Sequence, residues 1–82
     1  MVPEEMVTDQ EIELAFGNAD FGPTKNKRDV INNGLLKCAC GYHTGKTLKA
    51  ILEELDLVTQ KWILTERGKQ YLFVLYSGET KP

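Results

Sequence analysis

The apolar residues of this chain recur in four runs with helical spacing and in one short stretch without it. Leu48, Ile51, Leu52 and Leu55 stand at i, i+3, i+4 and i+7, the clearest of these patterns. They predict a helix capped by Thr44 or Thr47, with Lys46, Lys49, Ala50 and Glu53 on its other face. Near the start, Thr8-Asp9-Gln10-Glu11 has the spacing of a capping box, a hydroxyl with a glutamate three residues on. It opens a helix with Ile12, Ala15 and Phe16 on one side that stops near Gly17-Asn18, and Asp20-Phe21-Gly22-Pro23 follows as a turn. A second helix runs from about Lys25 to Cys40, capped by Thr24, with Val30, Ile31, Gly34, Leu35, Cys38 and Ala39 in register. Glycine inside a helix costs roughly 1 kcal/mol against alanine, so this run reads either as one helix or as two meeting at Asn32-Asn33-Gly34. Leu57-Val58 and Trp62-Ile63-Leu64 flank Thr59-Gln60-Lys61 and predict two short strands with a tight turn. Thr65 then caps a last helix, with Glu66 in its first turn and Tyr71, Leu72, Leu75 and Tyr76 beyond.

Together these elements predict a mainly α domain with a small β-hairpin: three to four helices and a two-stranded ribbon. The domain spans residues 8–77, with a flexible lead-in at 1–7 and a flexible polar tail at 78–82. Eighty-two residues leave no room for a second core. The longest apolar stretches, Tyr71 to Tyr76 and Trp62 to Leu64, are far too short to cross a bilayer. The acidic opening Met1-Val2-Pro3-Glu4-Glu5 lacks the basic head of a secretory signal, so a cytoplasmic location is expected. Cys38 and Cys40 point about 200° apart on a helix, which argues against a disulfide between them and suits a reducing compartment.

A formal net charge of −2 gives no general attraction to nucleic acid, but the charges are segregated. Residues 1–23 hold Glu4, Glu5, Asp9, Glu11, Glu13 and Asp20 and no base. Residues 24–49 set Lys25, Lys27, Arg28, Lys37, Lys46 and Lys49 against Asp29 alone. From residue 50 onward the two signs nearly balance. A basic middle behind an acidic head points toward an acidic partner.

The run from Thr44 to Leu72 resembles the second half of a winged helix-turn-helix domain. The matching residues are Thr47, Ile51, Leu52, Leu55 and Leu57, then Leu64, Thr65, Gly68, Tyr71 and Leu72. The resemblance, carried mainly by residues 44–76, implies that the hairpin is a wing folded on the third helix. It also implies that Gly68 allows the last helix to come close to that hairpin. Leu35 to Gly41 would then be the first helix of the pair, although Gly41 to Gly45 is longer than the usual tight turn. The whole chain is also similar to small uncharacterised proteins of enterobacterial prophages, which brings no known activity with it.

The resemblance implies binding of double-stranded DNA by a small regulator, with the third helix in the major groove. Lys46, Lys49, Thr44 and Thr47 would meet bases and phosphates there, and Lys25, Lys27, Arg28 and the wing-tip Lys61 would grip the backbone. The plain reading of the same residues is a solvated face, with Lys49 and Glu53 an ordinary i, i+4 pair. Phe73 falls on a different side of the last helix from Leu72 and Leu75, so Phe73 and Tyr76 suggest a homodimer surface. The rival to DNA binding is a non-catalytic module that binds another protein, with the acidic head Glu4 to Glu13 in the contact.

Catalytic and metal readings are weaker. Cys40-Gly41-Tyr42-His43-Thr44-Gly45-Lys46-Thr47 comes near a phosphate-binding P-loop, but Cys40 stands where a glycine must let the backbone curl. Cys38, Cys40 and His43 provide three zinc ligands at most, at the wrong spacing. No enzyme activity, cofactor or metal is expected.

Overall fold

The computed structural model describes residues 3–17 and 26–77, which form five helices. These are α1 (Pro3–Met6), α2 (Asp9–Phe16), α3 (Lys27–Ala39), α4 (Lys46–Glu54) and α5 (Glu66–Ser77). Thr24 and Lys25 lie outside the described residues.

Local chemistry fixes several helix ends. Thr8 caps α2 as its spacing predicts: the Glu11 N–H donates to Thr8 Oγ1 at 3.2 Å, and the Thr8 N–H donates to Glu11 Oε1 at 2.9 Å. Gly17 closes that helix with φ 54°. Asn26 caps α3, its Oδ1 accepting from the Asp29 N–H at 3.2 Å. At α5 the Gly68 N–H donates to Thr65 Oγ1 at 3.0 Å. The start of α4 differs from expectation. Neither Thr44 nor Thr47 caps it; Gly45 holds the cap position without a side chain, and Thr44 Oγ1 instead donates to the Gly45 carbonyl.

Among the described residues the run over 25–40 is one helix, α3, unbroken from Lys27 to Ala39. Gly34 is buried inside it, and a Cβ there would stand 2.6 Å from Leu48 Cδ2. The glycine that weakens α3 locally is what lets α4 lie against it. Ile31, Leu35 and Cys38 of α3 meet Ile51 and Leu52 of α4, Ile12 and Phe16 of α2, and Tyr71 of α5 in one core. The Leu48–Leu55 stripe turns inward: Ile51, Leu52 and Leu55 are buried and Leu48 is packed against them. Val7, ahead of α2, is also fully buried.

The two-stranded wing is not formed. Among the described residues there is no strand; Val58 and Leu64 make a single antiparallel bridge. Extended chain is short between Glu54, where α4 ends, and Glu66, where α5 begins. Asp56 at φ 60° and Trp62 at φ 68° interrupt it on both sides, in a left-handed region that bulky residues seldom enter. The winged helix-turn-helix fold with its β-hairpin therefore gives way to an all-helical arrangement with a tight turn at residues 59–63. Gly68 does permit a close approach, but to the Leu57 backbone: a Cβ at Gly68 would stand 2.1 Å from the Leu57 carbonyl oxygen.

No helix among the described residues is long and apolar enough to cross a membrane.

Candidate nucleic-acid interface

The cations of this protein divide into those turned inward and those left free. Arg28, on the first turn of α3, is turned inward. Its Nη2 donates to the Val7 carbonyl and to Asp9 Oδ1, both at 2.7 Å, and its Nη1 donates to Tyr71 Oη at 3.2 Å. Tyr71 Oη donates in turn to Asn32 Oδ1 at 2.6 Å. Burial pushes the Tyr71 phenol up from its ordinary value. Burial works against the charge on Arg28, yet its bonds to Asp9 and Tyr71 raise the guanidinium above its usual range. Lys27 pairs with Glu13 at 2.6 Å and lies over the Phe16 ring. Arg67, unremarked by any motif, donates to the Leu55 carbonyl at 2.7 Å, the Met6 carbonyl at 2.8 Å and Glu11 Oε2 at 2.9 Å.

Lys49 is half-turned inward. Its Nζ donates to the Gln60 carbonyl and sits 4.7 Å from the Trp62 ring centre, so it braces the turn rather than pairing with Glu53. Trp62 also stacks on His43, with ring centres 4.4 Å apart and planes 15° from parallel. Thr59 organises the same turn. Its N–H donates to the Ile63 carbonyl at 2.7 Å, and its Oγ1 accepts from the N–H groups of Lys61 and Ile63.

Lys37, Lys46 and Lys61 are exposed and enter no ion pair among the described residues. Lys69 is exposed and only loosely matched to Glu66 at 3.9 Å. Two concavities gather these four lysines. One groove runs between α3 and the start of α4, lined by Lys37, Thr44, Gly45, Lys46 and Thr47 over Gly34 and Leu48. The other is a cleft between the end of α3 and the 59–63 turn, lined by Tyr42, His43, Lys61, Trp62, Ile63 and Lys69. The loop from Gly41 to Gly45 forms an edge of both, and among the described residues no carboxylate lines either.

Of the residues singled out by sequence, Thr44, Lys46 and Thr47 come together in the groove and Lys61 lies in the adjoining cleft. Lys27, Arg28 and Lys49 are engaged inside the protein, and Lys25 lies outside the described residues. Sequence reasoning gave no role to Lys37, Lys69 or the His43–Trp62 stack. A basic residue in the last turn of a helix was the available signal for Lys37; nothing local signalled the stack. Cys38 is buried and Cys40 exposed, and burial pushes the Cys38 thiol up, away from thiolate chemistry. Among the described residues no cluster of three or more His, Cys, Asp or Glu could hold a metal. Phe73 and Tyr76 stand 72% and 60% exposed on α5, where Met6, Gln70, Phe73 and Val74 line a shallow apolar groove.

No family model, curated protein or solved structure matches the chain.

Proposed function

We propose that this chain is a non-catalytic, cytoplasmic binding protein that holds nucleic acid on the face made by the α3–α4 groove and the 59–63 turn. The observation that carries this reading is the gathering of Lys37, Lys46, Lys61 and Lys69 around two adjoining concavities that no carboxylate among the described residues lines, in a chain of net charge −2. Phosphates are drawn to such a local field even when the whole molecule is acidic. Thr47 and the uncapped N–H groups of the first turn of α4 add hydrogen-bond donors beside Lys46. Free Cys38 and Cys40 suit the reducing cytoplasm.

The test is fluorescence anisotropy with labelled mixed-sequence oligonucleotides at ~50 mM salt, a range where backbone contacts show. Binding should weaken steeply with salt, and Lys46→Glu with Lys61→Glu should abolish it. Lys27→Ala, which removes a cation already paired with Glu13, should leave it unchanged. Absence of binding at ~50 mM salt would remove this function.

The exposed Phe73 and Tyr76 favour a second reading, self-association or docking of another protein on α5. Sedimentation velocity should then show a concentration-dependent dimer that Phe73→Ser converts to monomer. A wild-type monomer at every concentration would dismiss the self-association arm.

A further inference from the structure

We infer that the cleft between the end of α3 and the 59–63 turn accepts unpaired nucleotides, so that the preferred ligand is a single strand rather than a duplex. This rests on the nucleic-acid reading above and names its substrate class.

Three observations converge on this cleft. The first is aromatic. Tyr42 is 68% exposed, His43 is exposed, and His43 already stacks on Trp62 at 4.4 Å. The imidazole face turned away from Trp62 meets no other ring among the described residues. A base laid there, or on Tyr42, would extend a stack that exists. The second is electrostatic. Lys61 and Lys69 line the cleft, Lys37 and Lys46 line the groove that shares its 41–45 edge, and no carboxylate among the described residues lines either. Proteins that hold single strands combine a basic track with aromatic platforms in this way, since every base presents a π face. The third is rigidity. Trp62 is held at φ 68° by its N–H bond to the Thr59 carbonyl at 3.2 Å, with Lys49 over its ring. A bulky side chain fixed in that region marks a site whose surroundings over-determine it.

Size and shape agree. The cleft encloses about 490 Å³, inside the range of roughly 300–1,000 Å³ for small-molecule pockets. The 59–63 turn is short and closed on itself, so it offers no long ribbon to enter a duplex groove. An acidic peptide would use the lysines but leave the flat faces of Tyr42 and His43 without a matching partner. A nucleobase uses both.

Trp62 is the sole tryptophan and so reports on the cleft directly. The full-length protein is titrated at ~50 mM salt with oligothymidylate, with oligouridylate and with a duplex of equal length. Both single strands should quench Trp62 and bind more tightly than the duplex; a gap between the two separates a DNA from an RNA ligand. Tyr42→Ala should weaken single-strand binding about 5- to 150-fold, as loss of one stacked base does, while Tyr42→Phe restores it. The side chain of Tyr42 is exposed and its backbone N–H bond to the Lys37 carbonyl survives the change, so both variants should fold. Duplex binding as tight as single-strand binding, or a silent Tyr42→Ala, overturns this inference and leaves the lysine face standing. Failure of all three probes to bind overturns both.

Discussion

The side of the molecule where α1 packs on α5 and α2 on α3 and the side where α4 meets the 59–63 turn both carry cations, but use them in opposite ways. On the first side Arg28 and Arg67 reach inward to the carbonyls of Val7, Met6 and Leu55 and to Asp9 and Glu11. On the second, Lys37, Lys46 and Lys61 stay in water, and only Lys49 turns back. The residue types suit the tasks. A guanidinium presents several donors in a rigid fork and can satisfy two or three acceptors at once, whereas an ammonium is a hydrated point charge on a flexible stem. A positive charge in the sequence therefore does not announce a binding surface; its type and the acceptors within reach decide.

Substitutions can break or sharpen this contrast. Gly68→Ala should have the largest effect, because the new methyl meets backbone rather than a movable side chain at 2.1 Å. A loss of about 3 kcal/mol is expected in urea denaturation, and a neutral outcome would mean that α5 and Leu57 are not in contact. Arg67→Met comes next. It keeps the aliphatic stem but leaves the Leu55 and Met6 carbonyls without their donor, for an expected loss of about 2 kcal/mol. Lys61→Ala on the open side should stay within about 0.5 kcal/mol. Equal effects of the two would erase the distinction between inward arginine and outward lysine.

The smallest expected effect concerns pH. The bond from the Thr8 backbone N–H, followed by the one from Arg67, holds the Glu11 carboxyl below its ordinary value of 4.5. A depressed folded-state value stabilises the fold above the unfolded value and is lost as pH falls through the folded one. Glu11→Gln should therefore cost stability near pH 7, and the gap to the parent protein should close as pH drops below 4.5. The carboxylate is 42% exposed, so solvent screening keeps the difference to no more than about 0.5 kcal/mol. Urea midpoints at pH 7 and pH 3 measure it. A gap that widens on acidification would contradict the bond.

Helices were readable in this sequence wherever local chemistry determines them. The Thr8–Glu11 box and the Leu48–Leu55 stripe depend on neighbours within a turn or two, and both appear in the structure. The ribbon expected around Trp62 failed because Asp56 and Trp62 adopt left-handed backbone without a glycine to signal it. The threonine caps expected for α4 failed because Thr44 bonds the neighbouring carbonyl instead. The inward turn of Arg28 was hidden for another reason: its acceptors Val7 and Tyr71 lie 21 and 43 positions away, beyond the reach of any periodicity. The lysine face was half readable. Lys46 and Lys61 stood out by sequence, but the meeting of His43 with Trp62 is a tertiary fact.

The Arg67 fork also sets an order of assembly. Met6 and Arg67 are 61 positions apart, so the Met6 and Glu11 acceptors of that fork leave the ribosome long before their donor does, whereas Leu55 precedes it by only 12. A nascent chain can wind α2, α3 and α4 from nearby partners, and Arg28 can already hold Val7 and Asp9, but α1 has no helix to pack on until the start of α5 has emerged. Contacts so far apart in sequence slow the folding of small domains. Until then α1 lacks the helix surface on which it packs in the finished protein.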